Sequence, residues 1–177
     1  MIEFHIVQER PEDAALLPGL LDRTFGRDRH VKTVYRLREG VEPVSALCFS
    51  AVGADSRLLA SLRFWPVSIA GEAAILLGPL AVEPSLQGRG IGRALVRHGL
   101  GEAKTLGYRI CIVVGEPAYY APYGFRPATP EGLFLPGPVD PPRFQVMELS
   151  PGALEGVKGL IGRAPADSRP LGRETSA

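Results

Sequence analysis

A glycine-rich turn lies between a buried strand and the clearest helix of the chain, and it constrains the fold more than any other part of the sequence. Residues 73–82 are almost entirely apolar, which predicts a strand buried on both faces. The turn carries glycine at positions 88, 90 and 92, and residues 90–106 follow with helical periodicity. A short apolar strand over residues 108–114 comes next. This order predicts a crossover that places the two strands parallel.

The chain on either side of this crossover predicts a fold of mixed α+β class. Residues 44–52 and 58–69 read as strands, and tight turns join them to each other and to the buried strand. Three strands connected in this way are typical of an antiparallel meander. Helices are expected over residues 12–25 and 27–39.

The length and texture of the chain predict one domain followed by a tail. Residues 1–150 are interpreted as a single domain, which is long enough to bury a hydrophobic core. Residues 151–177 are rich in glycine, proline and small polar residues. They are predicted to form a C-terminal extension that is partly disordered.

The charge balance argues against several classes of partner. The 177 residues include 20 basic and 19 acidic ones, which gives a net charge of +1. This value gives no electrostatic basis for nucleic acid or a membrane as the main partner.

A signal peptide and an apolar run of membrane-spanning length are not seen, so a cytoplasmic location is expected. Cys48 and Cys111 are too far apart to form a metal-ligand motif, and no metal is expected.

The glycine-rich turn has the local chemistry of an anion site. The first backbone N–H groups of a helix have no partner inside the helix, and with the helix dipole they attract negative charge. Glycine removes the side chains that would keep a phosphate away from the backbone. Arg89 and Arg93 add positive charge at the rim. The turn therefore predicts a phosphate or pyrophosphate ligand.

Two familiar phosphate-binding loops do not fit this turn. A P-loop needs lysine and then serine or threonine after its last glycine, whereas Gly92 is followed by Arg93 and alanine. A dinucleotide-binding fingerprint needs glycine or alanine at its sixth position. That position is Arg93 or Leu95, depending on which glycine begins the motif.

A third pattern fits. The spacing Q-x-x-G-x-G that begins at Gln87 resembles the acetyl-CoA signature of the GCN5-related N-acetyltransferases (GNAT). Leu-Ala-Val-Glu-Pro at residues 80–84 and Tyr-Ala-Pro-Tyr-Gly-Phe ending at Phe125 are similar to further motifs of that family. The approach over residues 115–120 resembles the YhbS-type branch of the family. The resemblance covers about residues 1–150.

The resemblance implies the GNAT acyl-CoA N-acyltransferase fold. Its central sheet is mixed and mostly antiparallel, with one splayed parallel strand pair and helices on both faces. The splayed strands would be residues 73–82 and 108–114. A bulge commonly separates such strands, and Gly78 with Pro79 is the expected place for it.

The resemblance also implies acetyl-CoA as the acyl-donor substrate. Freed backbone groups of the first splayed strand would bind the pantetheine amides, and the N–H of Leu80 would polarise the thioester carbonyl. The amides of the glycine-rich turn would bind the pyrophosphate, and Tyr123 would pack on the cofactor. The expected cofactor-binding residues are Leu80, Ala81, Val82, Gln87, Gly88, Arg89, Gly90, Ile91, Gly92, Arg93 and Tyr123.

The proton-transfer groups are expected from the same resemblance. Tyr120 matches the tyrosine that serves the family as general acid, because it lies four residues before the glycine of the Tyr-Gly-Phe segment. A phenol is protonated at neutral pH and can donate to the leaving thiolate. A packing role for Tyr120 and a catalytic role for Tyr119 are the alternatives. Glu116 is the first candidate for the general base, Glu83 is the second, and a water chain is a third route.

The resemblance implies transfer of an acetyl group to a primary amine by direct attack in a ternary complex. The acceptor is a small-molecule amine or a protein amine, and residues 25–39, 62–67 and 129–143 are expected to select it. A longer donor such as succinyl-CoA would need a basic or roomier pocket, which the sequence does not reveal. A non-catalytic acyl-CoA-binding or partner-binding domain is the alternative of another class. Dimerisation is common in the family, so a homodimer is one expected form.

Overall fold

The structure is a computed structural model that describes residues 2–164. Within these residues the chain forms a mixed sheet of nine strands with helices packed against it. In chain order, the strands β1 to β9 are Phe4–Gln8, Cys48–Gly53, Leu58–Ile69, Glu72–Val82, Ile110–Val114, Arg126–Pro127, Leu133–Phe134, Phe144–Glu148 and Gly159–Arg163. The helices α1 to α4 are Pro11–Phe25, Val34–Arg38, Ile91–Thr105 and Pro117–Tyr120.

The strand order of the sheet is β1-β2-β3-β4-β5-β8-β6. Neighbours along this path are antiparallel except β4 and β5, which run parallel and are connected through α3. Strand β9 pairs with the far end of β3 and, in parallel, with the two-residue strand β7. The predicted α+β class with its mostly antiparallel sheet and central parallel pair is confirmed. The short β7–β9 contact is a second parallel pair that was not predicted.

Helices cover both faces of the sheet, as predicted. On one face, Leu95 of α3 shares a hydrophobic core with Phe64 of β3. On the other face, Leu20 of α1 shares a core with Leu58 of the same strand. Successive strand residues point to opposite faces, and β4 contributes to the cores on both. Burial on both faces explains why β4 shows no polar alternation in the sequence.

The segment expected to be a second helix over residues 27–39 is interrupted. Residues Arg27–Val31 form a 3₁₀ turn, and α2 is only five residues long. The hydroxyl of Thr33 donates a hydrogen bond to the carbonyl of Pro138. Nearby, the guanidinium of Arg36 donates to the carbonyl of Pro136 at 2.8 Å. These contacts hold the broken segment against the proline-rich loop near the carboxyl end of the domain.

The domain extends beyond residue 150, which was its predicted last residue. Strand β9 pairs with Val67, Ser68 and Ile69 of β3. Ile161 of that strand is fully buried in the core beneath the sheet, together with Ala153, Leu154 and Val157. The predicted boundary is therefore corrected to include these residues. The disorder predicted for the tail falls mainly on residues 165–177, which lie outside the described part of the chain.

Gly99 allows α3 to lie close to the sheet. A Cβ atom at this position would lie 2.5 Å from Cε2 of Phe64 and 3.2 Å from Cδ2 of Leu62. Both of these side chains are fully buried, so neither has room to move aside. A residue with no side chain is therefore required where the helix crosses β3.

Replacing Gly99 with alanine is expected to destabilise the protein, and the same change at Gly101 provides a matched control. Gly99→Ala overpacks the core and lowers the free energy of unfolding by about 1–3 kcal/mol. At Gly101 of the same helix a Cβ would meet nothing within 4 Å. Gly101→Ala should raise the free energy by about 0.5–1 kcal/mol through helix propensity. Urea denaturation measures both, and equal effects would contradict the assigned contact.

Candidate active site

Strands β4 and β5 part at a bulge, and the site begins there. The two strands pair only through Ile75 with Cys111 and Leu76 with the next residue of β5. On the other side of β4, Leu62 and Phe64 of β3 oppose Leu80 and Leu77, so β4 carries one extra residue in this interval. The extra residue lies in the segment of Gly78 and Pro79, as predicted. Beyond it, the edge of β4 on the β5 side has no partner strand within residues 2–164.

The register shows which backbone groups of β4 face this opening. The N–H of Glu83 donates to the carbonyl of Leu59 on β3 at 2.9 Å. Backbone groups alternate in direction along a strand, so Ala81 also faces β3, whereas Leu80 and Val82 face away. The side-chain amide of Gln87 confirms the direction, because it donates to the carbonyl of Val82 at 3.3 Å.

This alternation corrects the expectation for Ala81. Its backbone groups belong to the ladder with Ser61 of β3. Its side chain is fully buried and packs with Leu17 and Leu20 of α1 on the opposite face of the sheet. Ala81 therefore has no group directed to the opening, and the backbone of Leu80 and Val82 alone can offer hydrogen bonds there.

The glycine-rich turn continues this open edge into the first turn of α3. Gly88 and Gly90 have φ values of +79° and +86°, a region that favours glycine. A Cβ atom at either position would meet nothing within 4 Å, so the surrounding space is open. Gly90 caps α3 without any side-chain hydrogen bond. The amides of the first helical turn, which have no acceptor within the helix, therefore remain available to an anion.

The open edge and the turn line one cavity of about 930 Å³. Of the thirteen predicted site residues it brings together ten, which are Leu80, Val82, Gln87, Gly88, Gly90, Ile91, Gly92, Arg93, Glu116 and Tyr120. The other three do not line it. Ala81 faces α1, and Arg89 is exposed outside the cavity. Tyr123 is partly buried and packs against the rings of Tyr119 and Tyr120.

The side chains of two adjacent tyrosines, Tyr119 and Tyr120, lie in different places around this cavity. The hydroxyl of Tyr119 lies over α3, 2.8 Å from the place that a Cβ of Gly92 would occupy. The ring of Tyr120 lies on the end of β5, where Cε2 would be 2.4 Å from a Cβ of Gly115. Phe125 contacts the Tyr120 ring edge to face, with centroids 5.7 Å apart. Glycine at both positions is therefore required for the observed placement of the two rings.

Both tyrosines have reduced acidity. Tyr120 is 8% exposed, and burial raises the pKa of its hydroxyl well above the ordinary value, with a further rise from the adjacent Tyr123. Burial raises the pKa of Tyr119 as well. Both hydroxyls are consequently protonated at neutral pH and can act as hydrogen-bond or proton donors.

The two candidate bases have different surroundings. Glu116 lines the cavity at its rim, where its exposed carboxylate lies 3.4 Å from the guanidinium of Arg143. Glu83 is outside the lining and accepts two hydrogen bonds from Arg23, at 3.0 and 3.1 Å. Asp140 is a carboxylate of the lining that the sequence did not single out. It lies on a loop whose position depends on contacts distant in sequence, so no local pattern identifies it.

Comparison with known proteins identifies the family. A profile described as an acetyltransferase (GNAT) domain matches residues 47–127. The uncharacterized N-acetyltransferase YhbS of Escherichia coli (strain K12) is 35% identical over 155 residues, which cover 86% of this chain and 92% of that protein. The chain belongs to the GNAT acetyltransferase family.

Solved GNAT structures agree with this assignment. The crystal structure of YhbS from Escherichia coli in complex with CoA has a TM-score of 0.80 and 33% identity, covering 93% of this chain and 91% of that one. A GNAT acetyltransferase from Brucella melitensis in complex with acetyl-CoA has a TM-score of 0.67 and 27% identity, covering 93% and 97%. The predicted family and fold are confirmed.

Part of the wall of the GNAT cavity comes from the broken segment that contains α2 and from the proline-rich loop. These regions are expected from the sequence to border the acceptor. Arg38 was not among the predicted site residues, but it lines the cavity. Arg38 is one of several charged residues in its segment, and no local pattern marks it as part of the cavity lining.

Two features are absent from residues 2–164. None of the helices in this range is long and apolar enough to cross a membrane. In the same range, His, Cys, Asp and Glu side chains do not gather in groups of three that could hold a metal ion.

The buried tyrosine of this GNAT site is expected to make stability depend on alkaline pH. A group whose pKa is raised by folding stabilises the protein below its unfolded pKa, which is about 10 for tyrosine, and that contribution is lost as pH rises further. The free energy of unfolding should therefore fall above pH ~10, by up to about 1.4 kcal/mol per pH unit for each such tyrosine. Urea denaturation from pH 8 to pH 11 should show a shallower fall for Tyr120→Phe. An unchanged slope would contradict the assigned burial.

Proposed function

We propose that this GNAT domain transfers an acetyl group from acetyl-CoA to a primary amine, by direct attack within a ternary complex. The observation that carries the proposal is the continuity of the outward-facing backbone of Leu80 and Val82 with the open first turn of α3 inside one cavity. Backbone donors and acceptors along a strand suit an extended amide chain, and a helix N-terminus suits a pyrophosphate. The CoA and acetyl-CoA bound to the two similar solved proteins support the same ligand.

Each part of the cavity has a role in binding this donor. The amides from Gly88 to Arg93 hold the pyrophosphate, and the Arg93 side chain adds positive charge in the lining. The backbone of Leu80 and Val82 holds the pantetheine amides. The N–H of Leu80 also points towards the bulge, where it can polarise the thioester carbonyl.

The chemical step requires a proton at the leaving sulfur. The acceptor nitrogen forms a bond to the acetyl carbon, and the bond from that carbon to sulfur breaks. The electron pair of that bond leaves with sulfur, which takes a proton from the hydroxyl of Tyr120. Burial keeps this hydroxyl protonated until it is used.

The acceptor amine must also lose a proton. Glu116 is the proposed acceptor of that proton, directly or through water, because it lines the cavity next to α4. Asp140 on the facing loop is the alternative carboxylate. The variants Glu116→Gln and Asp140→Asn distinguish the two carboxylates when the rate is measured as a function of pH. Only loss of the base removes the fall in rate at acidic pH.

The donor site is tested by a charge placed at the start of α3. Gly90→Glu puts a carboxylate at the proposed pyrophosphate site and a side chain on a residue with φ of +86°. The dissociation constant for acetyl-CoA should rise at least about tenfold, measured by calorimetry. Gly101→Glu makes the same change at an open position of the same helix and should bind as wild type does. Absence of acetyl-CoA binding to the wild-type protein would overturn the proposed function.

The proton donor is tested by removing one hydroxyl. Tyr120→Phe should lower kcat by about 10²- to 10⁴-fold while leaving the affinity for acetyl-CoA unchanged. Tyr119→Phe, on the adjacent residue of the same cavity, is the matched control and should retain most of the activity. A larger loss for Tyr119→Phe would assign the role to that residue instead. Tight acetyl-CoA binding without turnover of any amine would favour a non-catalytic acyl-CoA-binding domain.

A further inference from the structure

Arg38 places a guanidinium at the bulge of β4. It is the last residue of α2, and its side chain lines the cavity. Its Nη2 lies 3.2 Å from the place that a Cβ of Gly78 would occupy. The same place is 3.9 Å from the backbone nitrogen of Leu80, so the two nitrogens are no further apart than the sum of these distances, about 7 Å. The guanidinium is therefore close to the proposed position of the thioester.

No carboxylate neutralises this guanidinium. Among residues 2–164, Arg38 forms no ion pair, and its Nε is buried without a hydrogen-bonding partner. Two other arginines of the lining are paired, Arg29 with Asp22 and Arg143 with Glu116. Arg38 is thus distinguished from them by a charge that the described protein leaves unpaired.

Aromatic rings contact Arg38, and its Nε remains without a hydrogen-bonding partner among the described residues. The guanidinium carbon lies 4.9 Å from the centroid of the Tyr35 ring and 5.8 Å from that of Trp65. Such contacts stabilise a cation through its flat face. They leave the edge, which carries the donors, for an acceptor of hydrogen bonds. The indole Nε1 of Trp65 is a second buried donor without a partner.

A half-buried guanidinium with a buried, unpartnered Nε is costly, and a bound anion would offset the cost. Burial lowers the pKa of Arg38 to about 10, which reflects the penalty of removing the cation from water. The wider lining also favours negative ligands, with basic residues outnumbering acidic ones. The basic residues are Arg29, Lys32, Arg38, Arg93 and Arg143, and the acidic residues are Glu116 and Asp140. Polycationic amines are therefore poor candidates for the acceptor.

We propose that Arg38 binds a carboxylate of the substrate, and that the acceptor is a small amino acid whose amine and carboxylate are separated by few bonds. A planar guanidinium pairs well with a carboxylate through two parallel hydrogen bonds. The short distance from Arg38 to Leu80 brings an amine attached to such a carboxylate close to the thioester carbon. This inference rests on the proposed function. A dicarboxylic acyl donor would present the same chemistry from the other substrate, and the test separates the two sources.

The test compares acceptors that differ only in the carboxylate. Free amino acids, their carboxamides and the corresponding decarboxylated amines are assayed with acetyl-CoA by release of the thiol. Wild type should prefer the free acid, and Arg38→Met should lower kcat/KM for the acid by about 10- to 100-fold while hardly changing that for the amide. Arg38→Lys should recover part of the loss. Lys32→Met removes a neighbouring exposed cation of the same lining and should keep the preference.

A second assay tests a carboxylate on the acyl donor and uses succinyl-CoA with an amine that lacks a carboxylate. A preference for succinyl-CoA over acetyl-CoA that disappears in Arg38→Met would place the carboxylate on the donor and overturn the assignment to the acceptor. Equal use of acid and amide acceptors by wild type, or equal losses on both in Arg38→Met, would overturn carboxylate recognition.

A binding experiment completes the test without turnover. N-acetyl amino acids and their amides, the products of the proposed reaction, are titrated into the CoA-saturated protein by calorimetry. Binding of the acids alone, lost in Arg38→Met, supports the inference, whereas no difference between acids and amides overturns it. Acetyl-CoA affinity is measured for each variant. If acetyl-CoA does not bind to wild type, the proposed function fails; if it binds and only the carboxylate preference is absent, this inference alone fails.

Discussion

The parting of β4 from β5 is the constraint on which the rest of the site depends. A parallel pair normally continues its ladder for the length of both strands, but here pairing stops after Leu76, next to a one-residue bulge. Next to the bulge, backbone groups of Leu80 and Val82 have no strand partner on this side among residues 2–164. The Val82 carbonyl accepts from Gln87, and leaving the other groups unsatisfied is costly unless a ligand or water binds them. The same parting opens the cavity between the two strands. One irregularity therefore supplies both the binding groups and the space.

Glycine supports this arrangement in two physically different ways. At Gly88 and Gly90 the need is for a positive φ and an open backbone, since a side chain there would meet no protein atom. At Gly92, Gly99 and Gly115 the need is for close approach, because a Cβ would lie within 3 Å of Tyr119, Phe64 or Tyr120. The first group keeps the turn accessible, and the second fixes how helix and tyrosines lie against the sheet.

Local patterns in the sequence predicted much of the fold and the position of the glycine-rich turn in it. Strand β3, helix α3 and the glycine-rich turn have strong periodicity or special residues, and the structure agrees with the prediction at each. Strand β9 was missed because its five residues, which include Gly159 and Gly162, carry little local signal and are ordered by pairing with β3. The direction of the Ala81 backbone groups was missed because the sequence of a buried strand does not indicate which of its residues hydrogen-bond to which neighbouring strand. That depends on the register with β3, which is a tertiary property.

The same reasoning explains why the two ends of the cavity differ in how well the sequence reveals them. In the proposed function the donor end binds through backbone N–H groups, which every residue except proline carries, so its signature is the absence of side chains at particular spacings. The proposed acceptor end depends on a side chain, Arg38, and that proposal rests on its position beside Trp65, its buried Nε and the lack of a carboxylate partner among residues 2–164. Neither property is visible in a segment with several other charges. Backbone recognition is therefore detectable from composition and spacing, whereas recognition by an unpaired buried charge requires the folded arrangement around it.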